Sequence, residues 1–193
     1  MNFSTKLLSA VVLTAALSTQ LSACIPMVVG GAAAGGAMAA DRRTSGIYLE
    51  DENIELKASK SIEDAIGEAG HVNITSYNRN VLLTGEVPNE AGKKRAETIA
   101  KEITNVRSVT NELVVMPKTE LSSRSNDVYL TSKVKAKFVA DGRFAANAVK
   151  VVSENSVVYL MGIVNHAEAQ YATEIASNTD GVTKVVKVFE YND

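Results

Sequence analysis

Cys24 is the only cysteine of the 193-residue chain, and it directly follows Leu21, Ser22 and Ala23. A single thiol cannot form an internal disulfide or contribute to a zinc cluster of several cysteines. A leucine and two small residues before a cysteine are similar to the bacterial lipobox, in which the cysteine is acylated and becomes the mature N-terminus. We therefore expect lipid attachment to be the chemistry of Cys24. The alternative is a general signal peptide with a chance cysteine.

The residues before Cys24 have the regions of a secretory signal peptide. Lys6 supplies a positive charge, Leu7–Leu17 form a short apolar run, and small residues precede the cleavage site. The apolar run is too short to cross a bilayer, which takes about 20 residues. We therefore predict a lipoprotein signal peptide at residues 1–23. The uncharged Gly/Ala-rich segment that follows predicts a tether, residues 24–46, at or near the membrane surface.

Side chains that could perform catalysis do not occur in catalytic patterns. His71 and His166 occupy different positions of the repeat described below, and neither has the spacing of metal ligands. There is no nucleophile elbow and no glycine-rich phosphate-binding motif. The carboxylates cluster on what we expect to be the solvated side of a helix. The sequence therefore predicts no enzyme, no metal site and no cofactor beyond the covalent lipid on Cys24.

The predicted mature chain is slightly acidic. Without residues 1–23, it has 170 residues with 19 basic and 22 acidic side chains, a net charge of about −3. Such a balance gives no general attraction to nucleic acid, so we predict no nucleic-acid partner. Tryptophan is absent and aromatic residues are few, so we expect cores of Val, Ile, Leu and Ala.

The remainder of the chain contains an internal repeat. Residues 72–87 read VNITSYNRNVLLTGEV, and residues 149–164 read VKVVSENSVVYLMGIV. The offset of 77 becomes 76 after one deleted residue, and the match continues through the next helix. We therefore predict two tandem domains, residues 47–116 and 127–193. A polar segment, residues 117–126, is the predicted linker.

Both copies show the same order of signals, namely helix, strand, strand, helix and strand. Apolar residues at four-residue intervals predict the first helix of each copy: Ile54, Ala58, Ile62 and Ile66, then Leu130, Val134 and Phe138. Asn126 or Asp127 is the expected cap in copy two. Turns near Asn78 and Asn155 predict the hairpins. The fold class is α+β, with two helices on one face of a mixed three-stranded sheet in each domain. Because such small domains are marginal alone, we expect the copies to pack together.

The second strand of each copy ends around a glycine, in Leu-Thr-Gly85-Glu-Val and Leu-Met-Gly162-Ile-Val. An alanine-rich helix and a Val-x-x-Val motif follow in both copies. This pattern resembles the BON domain. The combination with a lipobox and a Gly/Ala-rich segment is similar to the dual-BON lipoproteins of the bacterial outer membrane. We expect Gly85 and Gly162 to be structural, permitting a positive φ or a close approach of helix and strand.

The function implied by this resemblance is non-enzymatic. Proteins of this kind face the periplasm from the outer membrane, bind anionic phospholipids, gather at division sites and keep the outer membrane intact. Ile25 follows Cys24 in place of the aspartate associated with retention in the inner membrane. By analogy with lipoprotein sorting, this residue favours the outer membrane.

The first helix of copy two carries a candidate lipid-binding surface. When Leu130, Val134 and Phe138 face the sheet, the opposite side combines apolar and small residues with flanking lysines. The candidate residues are Tyr129, Ser132, Lys133, Lys135, Ala136, Lys137 and Val139. On such a surface, the apolar groups enter the membrane interface while the lysines meet phosphates. We expect Arg143 and Phe144 to extend it.

The first helix of copy one has the opposite charge. Between Asp51 and Glu68 there are six acidic residues and two lysines, so anionic headgroups would repel it. An alternative for copy two is that Tyr129 packs against the first domain and the lysines only solvate the surface. A rival function is that of an adaptor, which would dock an envelope protein through the acidic helix or the Tyr129 helix.

Overall fold

Each half of the chain folds in the predicted order of helix, two strands, helix and strand. The computed structural model describes residues 41–193, without the side chain of Leu121. The predicted signal peptide, Cys24 and the tether up to residue 40 lie outside the described residues. Both halves belong to a single unit, Ala37–Asp193.

Domain 1 forms a mixed sheet with two helices on one face. Its elements are α1 (Ser45–Ile66), β1 (His71–Tyr77), β2 (Asn80–Val87), α2 (Glu90–Glu102), β3 (Ser108–Asn111) and β4 (Val114–Val115). β1 is antiparallel to β2, while β3 and β4 both run parallel to β2. Ile54, Ala58 and Ile62 of α1 are buried in the core between helices and sheet.

Domain 2 repeats this architecture. Its elements are α3 (Leu121–Asp141), β5 (Val149–Glu154), β6 (Val157–Val164), α4 (His166–Ser177) and β7 (Lys184–Tyr191). β5 is antiparallel to β6, and β7 is parallel to it. Leu130, Val134 and Phe138 of α3 are buried in the core. The predicted α+β class, with two mixed sheets, is confirmed. The sheet of domain 2 has the predicted three strands, whereas the last strand of domain 1 is divided into β3 and β4, so that its sheet has four.

Both first helices begin earlier than predicted. Thr44 caps α1, accepting a hydrogen bond from the backbone of Ile47, so the last two residues of the predicted tether are helical. Glu120 occupies the cap position of α3, and six residues of the predicted linker, 121–126, continue this helix. After Leu121 these residues are polar and show no apolar periodicity, but no proline or glycine interrupts them. The prediction that Asn126 or Asp127 caps this helix is wrong.

Asp127 instead binds the hairpin of its own domain, as Asp51 does in domain 1. The two residues of each turn have positive φ, which suits a tight hairpin turn. The Asp51 carboxylate accepts hydrogen bonds from the backbone N–H groups of Asn78 and Arg79, at 2.8 and 2.7 Å. Asp127 accepts the two equivalent bonds from Asn155 and Ser156, both at 2.9 Å. Asp51 is therefore buried, and its assignment to the solvated side of the helix was wrong.

Gly85 and Gly162 lie within strands β2 and β6, where they allow close contact with the neighbouring strand. A Cβ atom on Gly85 would lie 2.1 Å from the carbonyl oxygen of His71, and Gly85 has a φ of +109°. A Cβ atom on Gly162 would lie 2.5 Å from the carbonyl oxygen of Ala148. The expected structural role holds, but the close approach is between strands and not between helix and strand. Beside Gly85 the last strand is interrupted, whereas β7 pairs with β6 through Gly162.

The helix-free faces of the two sheets pack against each other. Leu82 of domain 1 and Tyr159 and Met161 of domain 2 belong to one buried cluster. The molecule thus has four layers, with the helices of each domain on opposite outer faces. The expected packing of the two copies is confirmed.

One pair of hydrogen bonds between the domains occupies related positions of the repeat. Asn73 donates to Glu154 at 2.6 Å, and its counterpart Lys150 contacts the Glu55 carboxylate at 2.9 Å and the carbonyl oxygen of Ser76 at 3.4 Å. Ser76 adjoins Tyr77, the counterpart of Glu154. Together with the packing of the two helix-free faces, this pair indicates an approximate twofold relation between the domains.

Candidate functional site

The outer surface of α3 presents large apolar side chains to solvent. Tyr129 is 65% exposed and Val139 is 72% exposed, so Tyr129 does not pack into domain 1 as the alternative interpretation required. Val128 is 68% exposed beside Tyr129. Val128 was not among the predicted surface residues, although the predicted helix already contained it. Its spacing of eleven residues from Val139 places the two side chains on the same side of a helix and was a usable signal.

Small residues separate the large ones on this surface. Ser132 and Ala136 are exposed between Tyr129 and Val139, which lie about 15 Å apart along the helix axis. The Ser132 hydroxyl donates to the carbonyl oxygen of Val128 at 3.0 Å, so the helix itself satisfies it. We call the outer surface of α3 the α3 face. Its residues are Val128, Tyr129, Ser132, Lys135, Ala136 and Val139.

The three predicted lysines differ in their contacts. The Lys133 ammonium lies 3.0 Å from the carbonyl oxygen of Asp180 and 3.3 Å from its carboxylate. The Lys137 ammonium donates to the carbonyl oxygen of Asn178 at 2.8 Å. Lys135 is exposed and has no hydrogen-bond partner within the described residues. Lys135 is therefore the lysine that is free to meet a ligand.

The predicted extension of this surface is wrong for Phe144, whereas Arg143 is exposed but ion-paired. Phe144 is buried, and its ring packs edge-on against Phe138 with centroids 5.0 Å apart. Arg143 binds the carboxylates of Asp141 and Glu174 and covers the ring of Tyr171. Phe144 follows the end of α3, where the chain turns back into the core, so helical periodicity could not place its side chain.

The equivalent surface of α1 is also exposed but differs in composition. In the repeat, Val128, Tyr129 and Val139 correspond to Glu52, Asn53 and Glu63. This surface nevertheless carries two leucines, Leu49 and Leu56, which are 62% and 71% exposed. We call it the α1 face. Its residues are Leu49, Glu52, Asn53, Leu56, Lys60 and Glu63.

Two carboxylates are buried where the sheets meet. Glu86 is fully buried and accepts hydrogen bonds from Asn155 at 2.6 Å and from the Thr119 hydroxyl at 3.1 Å. Glu154 is 4% exposed and accepts from Asn73 and Thr84. Burial raises the pKa of Glu154, the Asn73 hydrogen bond lowers it, and the nearby Glu86 and Asp127 charges raise it further, for a net increase. This pair was not predicted, because Glu86 and Glu154 belong to different domains and only the packing of the two sheets brings them near each other.

Within residues 41–193, neither histidine belongs to a group of side chains that could hold a metal ion. His71 is the first residue of β1, and burial together with the charge of Arg124 lowers its pKa. His166 begins α4, contacts the Asp193 carboxylate at 2.7 Å and stacks on Tyr191. Across residues 41–193 there is no group of three His, Cys, Asp or Glu side chains that could hold a metal ion. Over the same residues, no helix is long and apolar enough to cross a membrane.

Comparison with known proteins gives relatives that match most of the chain. The chain is 45% identical to the outer membrane lipoprotein DolP of Haemophilus influenzae over 175 residues, which are 90% of this chain and 91% of that protein. It is 33% identical to the 21 kDa hemolysin of Actinobacillus pleuropneumoniae over 78% of this chain and 79% of that protein. It is 31% identical to the osmotically-inducible protein Y of Escherichia coli over 72% of each chain.

The first of these relatives supports the predicted lipid-anchored localisation at the outer membrane. A comparison with family profiles supports the presence of two similar domains. The BON domain profile matches twice, at residues 50–117 and 126–193, and each match covers one of the two domains described above. The chain therefore belongs to the BON domain family.

Proposed function

We propose that the protein binds anionic phospholipid through the α3 face and in this way supports the integrity of the outer membrane, including at division sites. The observation that carries this proposal is the exposure of Val128, Tyr129 and Val139 around the unpaired Lys135. The part played by division sites rests on the family resemblance alone.

The apolar side chains provide the insertion energy. Burial of a valine or a large apolar side chain stabilises the buried state by about 1.5–3 kcal/mol when burial is complete, and partial insertion yields a part of this. Tyrosine favours the membrane interface, because its ring is apolar and its hydroxyl stays near water. Tyr129 and Val139 are therefore suited to enter the headgroup region of a bilayer.

The lysines provide selectivity for anionic lipid. Each lysine near an anionic surface contributes about 1 kcal/mol. Lys135 is free to do so, and the hydrogen-bond partner of Lys137 is a carbonyl group and not a carboxylate. The pairing of Lys133 with Asp180 is weak, since the Asp180 side chain is 94% exposed to solvent. The α3 face therefore attracts phosphates even though the mature chain is acidic.

A vesicle flotation experiment tests the lipid-binding proposal. The fragment of residues 41–193, which contains both cores, is mixed with anionic vesicles and with neutral vesicles. We expect flotation only with anionic vesicles, and its reduction by salt, which screens the lysines. Tyr129→Glu and Lys135→Glu should each lower the affinity by about tenfold or more. Lys133→Glu should have a smaller effect, because Lys133 lies beside the α3 face and its ammonium donates to the carbonyl oxygen of Asp180.

The matched control is Asn53→Glu, at the position of α1 that corresponds to Tyr129. This substitution adds the same charge to an exposed helix site but should leave vesicle binding unchanged. Binding that is equal for neutral and anionic vesicles, or unaffected by Tyr129→Glu in a folded fragment, would refute the proposal.

The membrane anchor and the cellular role need tests of their own. We propose that Cys24 carries the lipid, so mass spectrometry of the mature protein should find an acylated cysteine, and Cys24→Ser should release the protein from membranes. In a strain that lacks the native gene, the wild-type gene should restore exclusion of large antibiotics and detergents. A Tyr129→Glu gene that fails to do so would connect this role to the α3 face; full restoration would separate the two.

A further inference from the structure

The α1 face combines exposed leucines with acidic side chains. Leu49 and Leu56 are seven residues apart, so they lie on one line of the helix, about 10.5 Å from each other. This line is opposite the buried Ile54 and Ala58 and is on the outside of the molecule. Single exposed leucines are common, but two in line on an outer helix form an apolar strip that can bind another surface.

The α3 face has the shape that such a strip needs. Tyr129 and Val139 are large, whereas Ser132 and Ala136 between them are small and leave a shallow recess on the helix surface. Helices pack when the ridge formed by side chains of one enters a groove of the other. Leu56 is therefore suited to the recess between Tyr129 and Val139.

The two helices also have complementary charges. α1 contains six acidic residues and two lysines. α3 contains four basic residues and two acidic ones, Asp127 and Asp141. Asp127 is buried at the hairpin, and Asp141 is paired with Arg143, so neither opposes an acidic partner. The described residues thus contain both a leucine-bearing acidic helix and a basic helix that complements it.

The two faces cannot meet within one molecule, because α1 and α3 lie on opposite outer layers. We propose that the α1 face of one copy docks onto the α3 face of a second copy. Such a contact joins unlike surfaces and leaves one free face at each end, so it extends into a chain of molecules and does not close into a twofold dimer.

This self-association competes with the proposed lipid binding, because both use the α3 face. A single pair of helices buries less than the roughly 1,200 Å² of a stable complex, so the free energy of association is small. We expect assemblies in solution only at concentrations of about 0.1–1 mM, and their loss at high salt.

Sedimentation velocity of residues 41–193 at increasing concentration tests the inference. The wild type should form dimers and larger species at low salt. Leu56→Lys, which disrupts the α1 face, and Tyr129→Glu, which disrupts the α3 face, should each remain monomeric. An equal mixture of the two variants should form dimers and nothing larger, because each variant keeps one intact and complementary face.

The control variant is Val115→Lys, which removes an exposed apolar side chain from β4, away from both faces, and should associate like the wild type. Val139→Glu replaces Tyr129→Glu if the latter does not fold, as judged by circular dichroism. A wild type that stays monomeric at about 1 mM would overturn the inference, as would a variant mixture that remains monomeric.

The inference and the proposed function fail in different ways. Leu56→Lys should abolish self-association and leave vesicle flotation unchanged, whereas Tyr129→Glu should abolish self-association and also lower the vesicle affinity by about tenfold or more. Flotation of a wild type that never associates would retain lipid binding and refute docking between copies. If the wild type associates but does not bind anionic vesicles, docking between copies is retained and lipid binding is refuted.

Discussion

Domain 1 and domain 2 share their buried features and differ on their outer helices. Asp51 and Asp127 bind equivalent hairpin turns, and α1 and α3 bury apolar residues at matching positions. Their outward positions have diverged, since Asn53 stands on α1 where Tyr129 stands on α3. Packing restricts the buried residues in both copies, while the exposed residues are free to acquire separate roles. The outer helices are therefore where functional differences between the domains should be sought.

Asp51 and Asp127 nevertheless differ in their surroundings. This difference predicts the largest change in the free energy of unfolding. Asp51 also binds the buried Arg43 guanidinium at 2.8 Å and the Ser76 hydroxyl at 2.6 Å. Among the described residues, the hydrogen bonds of Asp127 are the two from its turn. Removal of one partner from a buried ion pair costs about 3–5 kcal/mol. We therefore expect Asp51→Ala to lower the free energy of unfolding by about that amount. Asp127→Ala should cost about 1–3 kcal/mol.

Urea denaturation of both variants measures this difference. Arg43→Ala is the control, because it breaks the same ion pair from the other side and should also destabilise strongly. Equal losses for Asp51→Ala and Asp127→Ala would mean that the turn alone sets the cost and that the ion pair adds nothing.

The paired glycines predict the next largest effect. Gly85→Ala combines a positive φ with a close contact between Cβ and the His71 carbonyl oxygen, so it should cost about 2–4 kcal/mol. Gly162→Ala has only the contact with the Ala148 carbonyl oxygen and should cost about 1–3 kcal/mol. Thermal unfolding should rank the two variants in this order. The reverse order would show that β2 relaxes around the new methyl group more easily than β6.

Glu154 has no carboxylate counterpart in domain 1, where Tyr77 occupies the equivalent position, and it predicts a pH effect. Its pKa is raised in the folded protein. A raised pKa means that folding favours the protonated carboxyl group. The resulting contribution to stability is fully present at pH values below 4.5, the ordinary pKa of a glutamate, and is lost as the pH rises through the pKa of Glu154 in the folded protein. We expect Glu154→Gln to unfold at a higher temperature than the wild type at pH 7. Its stability should also decline less as the pH rises from about 4.5.

Glu190→Gln is the matched control, because Glu190 lies at the more exposed rim of the same domain contact, next to Arg107. This variant should not gain the stability at pH 7 that is expected for Glu154→Gln. A Glu154→Gln variant that is less stable than the wild type at pH 7 would show that the hydrogen bond from Asn73 outweighs the cost of burying the charge.

The segments that precede the two first helices predict the smallest effect. Arg42 binds both oxygens of Glu168, at 2.7 and 2.6 Å, and the carbonyl oxygen of Ile163, so it connects the start of domain 1 to domain 2. Its counterpart Lys118 has no hydrogen-bond partner within the described residues. Because the Arg42 pair is partly exposed, Arg42→Ala should cost about 0.5–1 kcal/mol. Lys118→Ala should change the unfolding temperature by no more than the experimental error, and an equal change in both variants would contradict the comparison.

Features of the fold that depend on local periodicity were predictable from the sequence. The spacing of Ile54, Ala58 and Ile62 predicted α1, and the spacing of Leu130, Val134 and Phe138 predicted α3; both sets are buried as expected. The turns between the paired strands also occur where the sequence placed them.

Features that depend on distant residues were not predictable. Asp51 looked like a solvated helix residue, because the turn that binds it lies 27 residues further along the chain. Lys137 looked free, but its partner is the carbonyl group of Asn178. The apolar members of the α3 face follow helical periodicity, whereas the pairing of its lysines is set by a loop that only the tertiary structure brings close.

The approximate twofold relation between the domains has a consequence for how the protein can use a membrane. Two identical domains packed in this way would carry identical helices on opposite sides, as in a symmetric homodimer. If both helices bound lipid, the molecule could bridge two bilayers. Fusion of the copies into one chain removes the constraint that both must stay alike, so one side can keep the lysines while the other acquires carboxylates. With this asymmetry, the proposed lipid contact involves a single membrane and the opposite side remains free.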